Sequence, residues 1–299
     1  MKFLLFSDLH HNPGGYPGRA YDALYLFEKE AIVQNCDFII HAGDFCHGPT
    51  KVPEYVKKYN NMSLPTYHCI GNHDADNSSF EDVLKLYELE NDFYYFDISG
   101  YRIIVLNPNY FYDEGKYINY SMANYYGKSR DHMPPEQLEW LKETIETSPH
   151  PCVLISHESF EREDGVQNRE QVLKIINDAN KNKPHSVIFC INGHYHRDYL
   201  RLLDGVCYLD MNSASFDAID NSHDLYPAEL NAEYRHAKDS IIYTDKLYSI
   251  ITLEGNTIDI KGSQSSYYLG ITHEMTGNSR FDSTGRENKP MVLSARIEL

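Results

Sequence analysis

Along the first two-thirds of this 299-residue chain, hydrophobic positions switch repeatedly between two periods. Short apolar, β-branched runs at residues 2–7, 37–42 and 66–70 predict strands. Residues 21–34 place Leu24, Phe27 and Ala31 at helical spacing, and residues 53–60 read as a short helix opened by Pro53. Ser79 stands as an N-cap before a helix over 80–89, with Asp82 in the capping-box position. Residues 92–98 and 101–106 flank Ser99-Gly100 as a hairpin. A helix over 135–147 contains Trp140, the only tryptophan. Strands follow at 152–155, 186–191 and 206–211, the first two separated by a helix at 169–180. Alternating strands and helices predict an α/β fold.

The remaining segments are less regular. Residues 107–134 form a long loop rich in tyrosine and asparagine, and residues 216–240 are polar and irregular. Residues 247–253 and 257–260 alternate around Gly255-Asn256, a hairpin signal, and a last strand is expected over 291–297. No repeat or linker divides the chain. It reads as a single domain over 1–299, a core of 1–215 followed by a β-rich part at 216–299.

Composition narrows the setting. Hydrophobic residues make up 41%, enough for a full core. There is no apolar run of about 18 residues, so no transmembrane helix and no membrane partner are expected. The apolar N-terminus is short and the first candidate site residue is already Asp8, which points to a cytoplasmic protein. Six cysteines without a CxxC pair, most in apolar runs, read as buried free thiols in a reducing compartment. The net charge of −17 repels polyphosphate chains and weighs against a duplex nucleic acid partner. A small phosphoester, drawn by local positive charge, is not excluded.

The chemistry lies in five clusters: Asp8-Leu9-His10, Gly43-Asp44, Gly71-Asn72-His73-Asp74, His157, and Gly193-His194-Tyr195-His196. Each follows a predicted strand. In open α/β sheets, ligands bind where the loops at the carboxyl ends of strands converge, so these clusters can meet in space. Carboxylate, imidazole and one amide oxygen suit Zn, Mn or Fe rather than a thiolate site. Two ions about 3.5–4 Å apart need a bridging carboxylate flanked by terminal ligands, and this set can supply them. Asp-x-His and Gly-Asp are each weak signals. Gly-Asn-His-Asp and Gly-His-x-His are much rarer, and the five together in this order are specific.

The ordered set resembles the calcineurin-like metallophosphoesterase superfamily, whose pattern runs D-x-H, GD, GNH[DE], H, GHxH. The resemblance covers about residues 1–215. It implies a four-layer αββα sandwich of two mixed sheets flanked by helices, here with extra C-terminal β-strands. It also implies a dinuclear site of two Mn, Fe or Zn ions at one sheet edge. By position, Asp8, His10 and His196 would bind one ion, Asn72, His157 and His194 the other, with Asp44 bridging. His73 would contact the phosphate and protonate the leaving oxygen. The implied activity is hydrolysis of a small phosphodiester or phosphomonoester, a nucleotide among the options, by a metal-bridging hydroxide. A non-catalytic scaffold that keeps the fold, or a nuclease, is the alternative.

Departures from the pattern narrow the family. Protein Ser/Thr phosphatases resemble GDxxDRG with GNHE. This chain has Gly43-Asp44-Phe45-Cys46-His47-Gly48 and Asp74 instead. Purple acid phosphatases look like GDxxY, where this chain has His47. Asp74 is left with two roles, orienting His73 or capping a turn. His47 reads as a loop histidine without a role, with contact to substrate as the second reading, and His41 and His68 read as core or hydrogen-bonded residues. Arg162 and Arg197 follow ligand positions closely; a salt bridge suits each better than a phosphate. The tyrosines of 107–134 (Tyr110, Tyr112, Tyr117, Tyr120, Tyr125 and Tyr126) read as anchors of a packed lid, with stacking on a base as the second reading.

Overall fold

The central strands of each sheet form because their side chains are apolar on both faces and both faces are covered, whereas the outer strands alternate buried and exposed positions. The computed structural model describes residues 1–15 and 20–299. In chain order it runs β1 (Lys2–Phe6), α1 (Ala20–Val33), β2 (Phe38–His41), α2 (Pro53–Asn60), β3 (Thr66–His68), α3 (Phe80–Leu86), β4 (Tyr94–Ile98) and β5 (Tyr101–Val105). A hairpin of β6 (Tyr110–Asp113) and β7 (Lys116–Asn119) precedes α4 (Pro135–Glu146), β8 (Cys152–Ile155), α5 (Arg169–Asn182) and β9 (Val187–Asn192). Next come β10 (Tyr199–Leu203), β11 (Val206–Asp210), β12 (Phe216–Ala218), α6 (Ala228–Glu233) and β13 (Ser240–Ile242). The chain closes with β14 (Ser249–Glu254), β15 (Thr257–Gly262) and β16 (Ala295–Glu298).

Two six-stranded mixed sheets result, ordered β16-β15-β14-β1-β2-β3 and β10-β11-β9-β8-β5-β4. Strands β1, β2 and β3 are parallel, as are β5, β8, β9 and β11, so their carboxyl ends share an edge within each sheet. Alternation along β1 sends Phe3 and Leu5 between the sheets, against residues such as Val153, Ile155 and Ile191. Leu4 and Phe6 point the other way, under α1 (Leu24, Phe27) and α2 (Tyr55, Tyr59). On the far side, Ile104 and Leu154 pack under α4 (Leu141, Ile145) and α5 (Val172, Ile176). This is the four-layer αββα sandwich, with extra C-terminal strands. Those strands extend the first sheet: β14 pairs antiparallel with β1, and β15 and β16 follow.

The structure departs from the sequence reading at several places. The helix expected over 80–89 stops at Leu86, because Glu88 adopts φ 56°. Its cap is as expected: Ser79 Oγ accepts from the Asp82 amide at 3.1 Å. The segment 107–134 is not a plain loop; it contains β6–β7, turned by Glu114-Gly115 with φ 46° and 84°. A second unforeseen hairpin, β10–β11, turns at Asp204-Gly205 (φ 50° and 77°), an Asp-Gly pair suited to a type I′ turn. Residues 216–240, expected to be irregular, contain β12, α6 and the start of β13. The last strand begins at Ala295, later than 291. No helix among the described residues is long and apolar enough to cross a membrane.

Candidate metal centre

The five clusters occupy the loops that follow β1, β2, β3, β8 and β9. Backbone hydrogen bonds hold these loops together. The Asp8 amide donates to the Gly43 carbonyl (3.1 Å), the His10 amide to the Asp44 carbonyl (2.9 Å), and the Gly193 amide to the His157 carbonyl (3.0 Å). A Cβ on Gly193 would lie 2.5 Å from Asp8 Oδ2, and one on Gly71 2.3 Å from Asp44 Oδ1. Glycine is therefore required beside both carboxylates. Asp8 (φ 50°), His10 (50°), Asp44 (50°), His194 (73°) and His196 (51°) all take left-handed backbone conformations. Each costs on the order of 1–3 kcal/mol, and such strain concentrates at functional sites.

This strained backbone brings all seven expected donors together. Asp8 Oδ1 lies 3.3 Å from His196 Nε2 and 3.7 Å from His10 Nε2, and the two Nε2 atoms are 3.0 Å apart. Asp44 Oδ2 lies 3.7 Å from His10 Nε2 and 3.1 Å from His157 Nε2, so one oxygen faces both groups. His194 Nδ1 is 3.1 Å from Asn72 Oδ1 and 3.3 Å from His157 Nε2. Within this geometry, Asp8, His10 and His196 form one donor set; Asp8, Asp44 and His157 overlap it.

Their protonation suits cations. Burial pushes His10 down to about 3 and His194 to about 4, so both rings stay neutral with a lone pair to give. His157 is pulled down by burial but raised well above its usual value by Asp44, which marks a spot where positive charge is favoured. His157 Nδ1 donates to the Ala42 carbonyl at 2.8 Å, leaving Nε2 as the inward donor. Facing lone pairs of imidazole and carboxylate in a buried site are the donor chemistry that Zn, Mn and Fe take, so these residues fit such ions.

A buried histidine chain supports the Asp44 loop. The Asn60 Oδ1 can only accept, so His68 Nε2 donates to it (2.8 Å). His68 Nδ1 then accepts from His41 Nε2 (2.8 Å), and His41 Nδ1 accepts from the Gly43 amide (3.2 Å). Both rings must be neutral, and burial lowers both pKa values, His41 to about 3. The unfolded chain takes these protons first, near pH 6.5. The stability contributed by a neutral His41 is thus full above pH 6.5 and is lost as pH falls towards 3, by up to about 1.4 kcal/mol per pH unit. Thermal midpoints measured from pH 7.5 to 4.5 are expected to fall less steeply in His41→Gln than in the wild type. Equal slopes would show that His41 does not carry this dependence.

His73 sits at the edge of the donors, with a ring nitrogen within 4.8 Å of ligand atoms of His10 and Asp44. Its ring is 29% exposed, and its Nδ1 lies 2.6 Å from Asp76 Oδ2. Burial lowers its pKa, but Asp44 and Asp76 outweigh burial and the net value is raised. Of the two roles open to Asp74, the structure shows the cap: its carboxylate accepts from the amides of Gly71 (2.8 Å) and Cys46 (3.0 Å) and from the Tyr87 hydroxyl (2.6 Å). Asp76 orients His73 instead. His47, expected to have no role, bridges His10 Nδ1 (3.0 Å) and Asp76 Oδ2 (3.2 Å). Tyr125 donates to Asp76 Oδ1 (2.6 Å), which ties the tyrosine segment to the site. Tyr120, Tyr125 and Tyr126 stack at 4.3 and 4.6 Å; the inner two are buried and Tyr126 is 60% exposed. The lid-anchor reading therefore describes Tyr120 and Tyr125. Asp76 and His47 were missed because each touches the site only through the fold, although Asp76 stands three residues after His73.

A cleft of about 220 Å³ opens over the donors, lined by His73, Arg197, Phe216 and Asp217 among others. The C-terminal third thus also lines the site: Phe216 of β12 packs 5.3 Å from the His10 ring and 5.4 Å from that of His196. Both arginines are ion-paired as expected, Arg162 with Asp164 (2.7 Å) and Arg197 with Asp217 (2.7 Å). Only Arg197 borders the cleft.

A mixed αββα sandwich whose strand-end loops gather two carboxylates, four imidazoles and a carboxamide beside an open cleft defines a metallohydrolase-type protein. The sequence model of the calcineurin-like phosphoesterases matches residues 1–198, and the chain belongs to that family. No curated protein matches it in sequence. Among solved structures, a dimetal phosphatase from Danio rerio is similar with a TM-score of 0.59 at 14% identity, over 87% of this chain and 95% of that one. GAP50, the anchor in the inner membrane complex of Plasmodium, gives 0.54 at 13% identity, over 89% and 84%. At these identities the likeness concerns the fold.

Proposed function

We propose that this protein is a dinuclear metal-dependent phosphoesterase acting on a small phosphodiester or phosphomonoester. The observation that carries the reading is the sharing of Asp44 Oδ2 between the His10 and His157 groups, with His73 beside them. Asp8, His10 and His196 would hold one ion and Asn72, His157 and His194 the other, with Asp44 between. Bound divalent ions supply Lewis-acid chemistry: they lower the pKa of a water and offset charge on phosphate oxygens.

The chain's own residues do the rest. Asp76 holds Nδ1 of His73, which leaves Nε2 as the atom that donates a proton to the leaving oxygen. Phe216 walls one side of the cleft and limits water there. The cleft's size supports a small substrate, and the charge of −17 supports one that is not a long polyanion, against the nuclease reading. All six cysteines are buried free thiols, which supports a reducing, cytoplasmic setting.

The second reading is a scaffold without catalysis; GAP50, the anchor in the inner membrane complex of Plasmodium, has a similar fold. This reading predicts an eroded donor set, whereas every donor position here is filled. The expected result is that metal-stripped protein reloaded with Mn²⁺ hydrolyses bis(4-nitrophenyl) phosphate or 4-nitrophenyl phosphate, and that a chelator stops it. Fully loaded protein with no turnover on either ester would sink the enzyme reading.

A further inference from the structure

Glu158 follows His157 in the loop after β8 and is 1% exposed. Neither of its carboxylate oxygens has a hydrogen-bond partner. An unpartnered buried carboxylate is strongly unfavourable, and in native proteins such a group commonly marks the place of an ion or water. One Glu158 oxygen lies within 4.8 Å of ring nitrogens of both His157 and His194. Ligation of one ion, with bonds of about 2.0–2.2 Å, would need these atoms to draw closer together than that bound. The neighbouring Asp131 differs: Tyr120 donates to it at 2.7 Å.

The two donor sets are also unequal in charge. Asp8 gives the first its own carboxylate. Asn72, His157 and His194 give the second none beyond the shared Asp44. We propose that Glu158 is a further ligand of the second ion and supplies that ion's own negative charge. The second set then has three oxygen donors (Asn72, Asp44 and Glu158) and two imidazoles, a mixture suited to a harder ion such as Mn²⁺. This inference rests on the dinuclear reading above.

The test is Mn²⁺ titration of metal-stripped protein, with free Mn²⁺ followed by electron paramagnetic resonance. Wild type is expected to bind two ions. Glu158→Gln, which has the shape of the protonated acid, is expected to keep one ion at wild-type affinity and bind the other at least tenfold more weakly. Asp131→Asn is expected to bind both unchanged. Two ions at unchanged affinity in Glu158→Gln would overturn the assignment and leave the dinuclear reading intact. No Mn²⁺ bound by wild type would overturn both. Should Glu158→Gln not fold, Glu158→Asp keeps the charge one methylene short; a several-fold weaker second ion is expected there, and unchanged affinity would overturn the assignment.

Discussion

Asp44→Asn is expected to lower metal-dependent hydrolysis by on the order of 10³-fold or more, the scale seen when one member of an interdependent catalytic group is lost. The two Asp44 oxygens have different tasks. Oδ1 accepts from the His73 amide at 2.8 Å, while Oδ2 faces His10 and His157. An amide in that place must put its oxygen on the His73 amide and its NH₂ towards the donors, since the reverse would set two donors against each other. The shared negative charge is gone, and two N–H groups point where cations would sit. Metal content by mass spectrometry after desalting should fall from two ions to one or none. The metal-free variant should melt lower than wild type near neutral pH, because the Asp44 carboxylate offsets the positive charge that it favours on buried His157. Retention of two ions and of the wild-type rate would rule out a bridging role for Asp44.

His73→Ala is expected to behave differently: metal content unchanged, kcat lower by roughly 10²–10⁴-fold, the range for loss of a general acid. The deficit should shrink on 4-nitrophenyl esters, whose leaving group departs without a proton, and be largest on alkyl esters. A uniform loss across leaving groups would argue for phosphate binding and against proton donation. Asp76→Asn should give a smaller loss of the same kind. Asp76 helps raise the His73 pKa, so its removal should move the alkaline limb of the kcat–pH profile to lower pH. A limb that does not move would leave Asp76 a purely structural neighbour.

The histidines show how much of this site was legible in advance. His10, His157, His194 and His196 stood in a recognisable order because a ligand must sit at a set offset from a strand end. His47 had no such offset: its neighbours His10 and Asp76 lie 37 and 29 residues away in sequence. Glu158 is silent in sequence for a similar reason. A glutamate after a loop histidine is unremarkable until burial and the absence of any partner are known. Asp74 and Asp76 illustrate the limit of local reasoning. Both can reach His73 by spacing, and only the Tyr87 hydroxyl and the amides of Gly71 and Cys46 decide that Asp74 is turned away.

The hairpins add a further lesson. Ser99-Gly100 and Gly255-Asn256 were read correctly from two-residue turns between alternating strands. Asp204-Gly205 and Glu114-Gly115, like Ser99-Gly100, take positive φ at both turn residues, but one lay in a stretch with no expected element and the other in the tyrosine loop.

By itself, the sequence determined the alternating apolar runs, the ordered donor clusters at their ends and hence the family, because side-chain period and ligand spacing are local properties. The tertiary structure alone decided which oxygen of Asp44 faces both donor groups, which aspartate holds His73, and that β12 from the C-terminal third walls the cleft. Those depend on the meeting of loops from two sheets, and no local rule in the chain encodes distances between residues brought together only by packing.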